Sequence, residues 1–186
     1  MITQSAILYC LLLLPNTWPA NGLTPQNRIP PNSVPIASPV RRIGLAEIYY
    51  FPDADKTSVD VMNLTIWGKG ENRINLGLSY STKGPRPHLP ELIQIDIGSV
   101  AGSARFKGSS KVEFIVDGRK WSPISVEAQI ENEPHSVLED YVFLLSVEQF
   151  RQIGKAKSVG IKIGPIEIQL TAAHRQAFLD MLRAAE

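Results

Sequence analysis

The sequence predicts a mainly β fold of the α+β class: an antiparallel β-sandwich with a short helix near residues 147–154 and a C-terminal helix over residues 171–185. Apolar residues alternate with polar ones in short segments separated by glycine and proline turns, which is typical of strands with one buried face. The period changes to that of a helix at two places, Ser146 and Thr171. Hydrophobic residues make up 44% and charged residues 20% of the chain, a balance that allows a domain to bury a core.

The N-terminal residues are predicted to form a signal peptide over residues 1–22. An apolar run over residues 6–14 is followed by Pro15, and the first charged side chain is Arg28. The run is shorter than the roughly 20 residues that cross a bilayer, but it fits the apolar part of a secretory signal. Ala20 and Gly22 fit a cleavage site. We therefore expect a secreted or periplasmic protein with no transmembrane helix in its mature form; the alternative is a short buried helix.

Residues 23–40 are predicted to be a proline-rich spacer, because five prolines alternate there with small and polar residues. Such a composition favours extended backbone over a packed core. The alternative is a proline-rich ligand for a partner. The remaining residues, 41–186, are predicted to form a single β-sandwich domain.

Alternation within this domain predicts a series of strands. They cover residues 45–51, 58–67, 74–80, 93–97, 112–116, 124–130, 137–145, 159–163 and 166–170. In the second strand we expect Met62, Leu64 and Ile66 to face inward. Val59 and Val61 have the opposite parity, which indicates a bulge. Asp117-Gly118 predicts a hairpin turn that leads through Trp121 into the segment 124–130, and Gly164-Pro165 predicts another turn.

Both helices carry capping signals. Ser146 and Gln149 have the spacing of a capping box, and Gly154 is expected to end the first helix. Thr171 can cap the second helix. The apolar residues of the second helix share one face, so it is expected to lie on the sheet and close the core: Ala177, Phe178, Met181 and Leu182.

Charge and motifs argue against several classes of function. Lysine and arginine number 19 and aspartate and glutamate 18, without a cluster of either sign, so a nucleic-acid partner is not expected. No nucleophile motif or phosphate loop occurs in the sequence. No cofactor is predicted, and an enzymatic activity is not expected.

Four aromatic residues are candidate binding residues: Tyr49, Tyr50, Trp67 and Trp121. Successive strand residues point to opposite faces, so Tyr49 and Tyr50 cannot both enter one core. The second face is either covered by another element or available as a contact surface for a protein or glycan. We therefore expect an exported, non-enzymatic binding or assembly domain of the cell envelope.

An acidic segment with one histidine carries the alternative function. Glu133, His135 and Glu139 lie within residues 131–140, and an imidazole with carboxylates can bind zinc or another divalent ion. The chain would then be a metal-binding protein or a metal-assisted hydrolase. The segment matches no established metal motif, and the competing interpretation is a solvated acidic loop.

Three stretches resemble a diffuse family of small exported bacterial β-domain proteins of unknown function. They are Ala156-Lys157-Ser158-Val159-Gly160-Ile161-Lys162-Ile163-Gly164 with the strand and helix that follow, Asp55-Lys56-Thr57-Ser58-Val59, and Val116-Asp117-Gly118. The similarity covers residues 41–184. It implies an exported bacterial protein and carries over no catalytic residue, because the shared motifs are turns, caps and core positions.

Overall fold

The computed structural model describes residues 41–109 and 111–186, so the predicted signal peptide and spacer lie outside the described residues. The described chain is mainly antiparallel β with two helices, which confirms the predicted fold class. The strands are β1 (Arg41–Ile43), β2 (Ala46–Phe51), β3 (Lys56–Lys69), β4 (Asn72–Lys83), β5 (Leu92–Ala101), β6 (Val112–Val116), β7 (Arg119–Trp121), β8 (Ser125–Asn132), β9 (Val137–Ser146), β10 (Val159–Ile163) and β11 (Ile166–Leu170). The helices are α1 (Val147–Lys155) and α2 (Ala172–Arg183).

The strands form two sheets around one core. The larger sheet has the order β1-β2-β3-β4-β5-β9-β8 and the smaller one β11-β10-β6-β7, with every neighbouring pair antiparallel. Phe114 on β6 and Phe143 on β9 meet edge to face across the core, with ring centroids 5.5 Å apart. The core therefore takes its side chains from the inner faces of both sheets.

The two helices begin where their caps predict. Ser146 accepts a hydrogen bond from the backbone N–H of Gln149, whose side chain accepts one from the backbone of Ser146. Thr171 and His174 make the same reciprocal pair at α2. Helix α2 packs against β1, β2 and β3 of the larger sheet and β11 of the smaller one. In the described part of the chain, neither helix has the length and hydropathy needed to cross a membrane.

A bulge in β3 corrects the predicted inward set. Val59 and Val61 are buried, and the register against β4 shifts between Val61 and Leu64. The extra residue reverses the parity, so Leu64 is half-buried and Ile66 buried, while Met62 at the bulge is 65% exposed. The bulge and the inward positions of Leu64 and Ile66 were predicted; the inward position of Met62 was wrong.

The segment after Trp121 changes sheet. The predicted continuation of the hairpin into residues 124–130 does not occur, because the chain leaves the smaller sheet after Trp121 and pairs with β9 in the larger one as β8. Pro123 lies at the crossover, where a residue without a backbone N–H interrupts strand pairing. The prediction that the alternating apolar residues of this segment are buried was also wrong for Ile124, which is 58% exposed, and for Ile130, which is 43% exposed.

A buried carboxylate fastens the β1–β2 turn to α2. Asp180 is buried on α2, and its Oδ2 accepts a hydrogen bond of 3.0 Å from the backbone N–H of Leu45. Its Oδ1 accepts from Gln176 at 2.8 Å and from Arg183 at 3.2 Å. Gly44 has a φ of 57°, and a Cβ there would lie 2.0 Å from Oδ2 of Asp180. Glycine is therefore favoured by the left-handed backbone and required by the close approach of the helix.

Candidate binding surface

The three residues of the proposed metal site do not form one group. Glu133 and His135 are exposed in the β8–β9 turn, where the Glu133 backbone N–H donates to the Ser136 carbonyl at 2.8 Å. Glu139, in contrast, lies on β9 and is only 1% exposed. Among residues 41–109 and 111–186, no three His, Cys, Asp or Glu side chains are grouped so that they could hold a metal ion.

Glu139 anchors the β5–β6 connection instead. Both of its carboxylate oxygens accept hydrogen bonds from the backbone N–H of Phe106, at 3.0 and 2.9 Å, and Oε2 also accepts from the N–H of Arg105. The Phe106 ring is thereby held in the core, edge to face against Tyr141 at 5.2 Å between centroids. The carboxylate is occupied by backbone donors, which is a structural role.

The two tyrosines of β2 are half-buried and each is bonded to an acidic neighbour. The Tyr49 hydroxyl donates to Glu47 at 2.5 Å, and this hydrogen bond, with burial and the Glu47 charge, raises the pKa of Tyr49 to about 12. The Tyr50 hydroxyl donates to Asp55 at 3.3 Å. Both phenols therefore remain protonated at neutral pH and serve as hydrogen-bond donors within the domain.

Trp67 lies far from these tyrosines. Tyr49 pairs with Ser58, whose partner on β4 is Ser81, whereas Trp67 pairs with Ile74, seven residues and roughly 23 Å further along β4. Trp67 is 48% exposed, and the Arg105 guanidinium carbon lies 4.5 Å from the centroid of its ring in a cation–π contact. The predicted aromatic residues therefore do not share one surface.

Trp121 lines an open groove of about 460 Å³ between α1 and the β6–β7 hairpin. Its ring stacks on Phe114 at 4.6 Å between centroids, so one face belongs to the core. Three of the five charged side chains that line it have partners within the domain. Arg151 pairs with Glu148 at 2.9 Å, and Asp117 accepts hydrogen bonds from the backbone of two residues that precede β10. The groove is open and holds no constellation of reactive groups.

The outer face of the larger sheet, which is turned away from the core, carries a row of half-buried aspartates. Burial raises the pKa of Asp60 and of Asp96 to about 6, and the pKa of Asp140 is also raised, chiefly by burial. Gly77 and Gly98 lie opposite Asp96 and Asp140 in the neighbouring strands, where a missing Cβ leaves space for the carboxyl groups. Burial in the sheet, with a smaller contribution from neighbouring carboxylates, accounts for the raised pKa values.

Strand β8 is the most exposed element of the larger sheet. It is eight residues long, about 26 Å of extended chain, and pairs with β9 on one side only. Within the described residues no strand pairs with its other side. Seven of its eight residues are exposed and Val126 is half-buried. An antiparallel edge of this length presents the backbone N–H and C=O groups of about half its residues to a further strand.

The two faces of β8 differ in chemistry. Residues that lie opposite each other in a sheet share a face, and Val126, Ala128 and Ile130 lie opposite the buried residues Phe143, Tyr141 and Glu139. These three residues extend the core-facing side of the larger sheet past the part that the smaller sheet covers. Glu127, Gln129 and Glu131 lie on the outer face. The edge therefore offers an apolar strip on one side and carboxylates on the other.

The other sheet edges are shorter. Strands β1 and β7 have three residues each, and β11 has five, of which Ile168 and Leu170 are buried. β11 also contacts α2. Among the four strands that end the two described sheets, β8 is thus the longest and the most exposed.

Sequence reasoning missed this surface because alternation shows which residues share a face and not whether another layer covers that face. The signal that could have found it was the composition of residues 125–132. Two glutamates and a glutamine alternate there with small and branched apolar residues, without the proline or lysine that commonly protects an edge. Comparison with protein-family profiles, curated proteins and solved structures gives no match to this chain.

Proposed function

We propose that the chain is a non-catalytic binding or assembly domain of the cell envelope and that β8 is where a partner polypeptide binds. The observation that carries the proposal is the free edge of β8 together with the apolar strip of Val126, Ala128 and Ile130, of which Ala128 and Ile130 are exposed. An added strand would satisfy the open backbone groups and bury the strip in one step. The location in the envelope rests on the sequence of residues 1–40.

The chemistry of the other candidate residues supports a binding role over catalysis. Glu139 is occupied by two backbone donors, and Tyr49 is bonded to Glu47. The raised pKa values of Asp60 and Asp96 arise chiefly from burial in the sheet. Each of these groups is explained by the packing of the domain.

Photocrosslinking at β8 tests the proposal. A photoreactive amino acid is placed at Ile130, and at Met62 as a control, because Met62 is even more exposed but lies at the β3 bulge away from β8. In cells of the natural host we expect a covalent adduct from position 130 and none from position 62. Mass spectrometry should map the adduct to an extended segment of the second polypeptide. Equal adducts from both positions, or none from position 130, would contradict the proposal.

A further inference from the structure

We infer that the strand that pairs with β8 alternates apolar residues with lysine or arginine and belongs to a different protein, not to a second copy of this chain. This inference rests on the proposed function, because it names the partner of the same edge. Three features carry it: the apolar inner face of β8, the unpaired carboxylates of its outer face, and the charge pattern that self-pairing would produce.

The inner face of β8 determines that every second residue of the partner strand is apolar. Val126, Ala128 and Ile130 lie on the core side, and Ile130 is exposed by 43% although its Cδ1 approaches Gly108 of the β5–β6 connection. A partner residue directly opposite one of them would have its Cβ about 5 Å away. Branched apolar side chains at these positions would extend the core by one strand, and polar ones would be buried without partners.

The outer face of β8 determines the charge of the intervening residues of the partner strand. Glu127 and Glu131 are exposed, and neither forms an ion pair within the described part of the chain. Gln129 between them lies opposite Asp140, so the nearest acidic group on β9 adds to the negative charge. The Glu131 charge contributes to the raised pKa of Asp140. Lysine or arginine opposite these positions would reduce the repulsion, whereas acidic residues would increase it.

The same carboxylates disfavour a second copy of this chain. Antiparallel self-pairing about Gln129 would place Glu127 directly opposite Glu131 of the other copy, twice. Pairing about Ala128 avoids those contacts and sets Val126 against Ile130, but it still gathers four glutamates on one face of two adjacent strands. Like charges at such positions are destabilising. The basic edge strand β1 is a poor partner for head-to-tail assembly, because it has three residues and its Arg42 already pairs with Glu47 at 2.7 Å.

Binding of designed peptides tests the partner chemistry. Two fluorescent nine-residue peptides are titrated with the full chain, one alternating valine with lysine and one alternating valine with glutamate. At low salt we expect the lysine peptide to bind about tenfold more tightly, since several cross-strand charge pairs change sign between the two peptides. Hydrogen exchange in the bound state should slow at the backbone amides of β8. The variant E127K/E131K should reverse the preference.

The control variant E71K/E91K carries the same change of net charge at two exposed positions outside β8, and it should keep the wild-type preference. Equal affinities of the two peptides, or no response to E127K/E131K, would contradict the basic partner while leaving β8 as a binding edge. Absence of binding by both peptides would contradict the inference, and the crosslink at position 130 then decides separately whether the proposed function stands. If the wild type instead forms a dimer in which the β8 amides are protected from exchange, the partner is a second copy of the chain and the inference is contradicted.

Discussion

Glu139 shows how one residue can be assigned a different role by its surroundings. Its side chain lies in the interior of the sandwich, and its charge is compensated there by the backbone N–H groups of Arg105 and Phe106. A carboxylate with this arrangement stabilises a loop that crosses the end of the sheets. The sequence places Glu139 close to His135, but the alternation of β9 turns its side chain inward.

We expect Glu139→Gln to lower the free energy of unfolding by about 2–4 kcal/mol, because the amide presents an N–H where the backbone presents donors. Chemical denaturation measures the loss. The control Glu133→Gln changes the same side chain in the exposed β8–β9 turn and should alter stability by no more than about 0.5 kcal/mol. An equal loss in both variants would contradict the anchoring role of Glu139.

The pKa values of Asp60 and Asp96 predict how stability depends on pH. In the unfolded chain their pKa lies near the ordinary value of 3.8, and in the folded chain it is raised to about 6. The folded chain therefore binds more protons between about pH 4 and 6. Stability contributed by these groups is present at low pH and is lost as the pH rises through about 6.

We expect the double variant D60N/D96N to be more stable than the wild type at pH 7, by on the order of 1–2 kcal/mol per site after allowance for partial exposure. The difference should shrink between pH 7 and pH 5, and unfolding curves at a series of pH values measure it. The pKa values of Asp117 and Glu148 are lowered, so their effects fall below this window. The exposed Asp53→Asn serves as control, and a pH dependence unchanged in the double variant would contradict the explanation.

Among the secondary-structure elements, the β1–β2 turn depends on the helix that covers it. We expect Gly44→Ala to lower the unfolding free energy by more than about 2 kcal/mol, because the new Cβ would clash with Asp180 in addition to the backbone cost. Gly70 provides a matched control, with a φ of 58° and open space around its Cα. Gly70→Ala should cost only the left-handed backbone term, about 1 kcal/mol. Thermal unfolding compares them, and equal losses would show that the contact with Asp180 is unimportant.

Local patterns predicted the elements well and their partners poorly. The hairpin at Asp117-Gly118 and the caps at Ser146 and Thr171 were correct, because the physical cause of each lies within a few residues. The sheet change after Trp121 was missed, since strand pairing is decided by residues far apart in the chain. Likewise, no local pattern shows that the smaller sheet stops short of Ile130, or that the predicted aromatic residues lie on separate surfaces.

At the scale of the whole molecule, the carboxylates of β8 are expected to keep copies of the chain apart. The variant E127Q/E131Q removes their charge but leaves the backbone edge and the apolar strip intact. We expect it to self-associate at concentrations where the wild type remains monomeric, because the like charges no longer oppose pairing. Sedimentation velocity over a concentration series measures the effect. The control E71Q/E91Q, with the same net charge change, should behave like the wild type; association of both variants to the same extent would contradict the role of β8.

The hydrogen bond between Leu45 and Asp180 joins residues 135 positions apart. Helix α2 follows all the described strands in sequence, so a ribosome synthesises those strands before it makes the helix that packs on β1, β2 and β3. The nascent chain must therefore wait with these apolar faces open, and contacts of such long range also form slowly. A chaperone that binds extended apolar strands would have time to act.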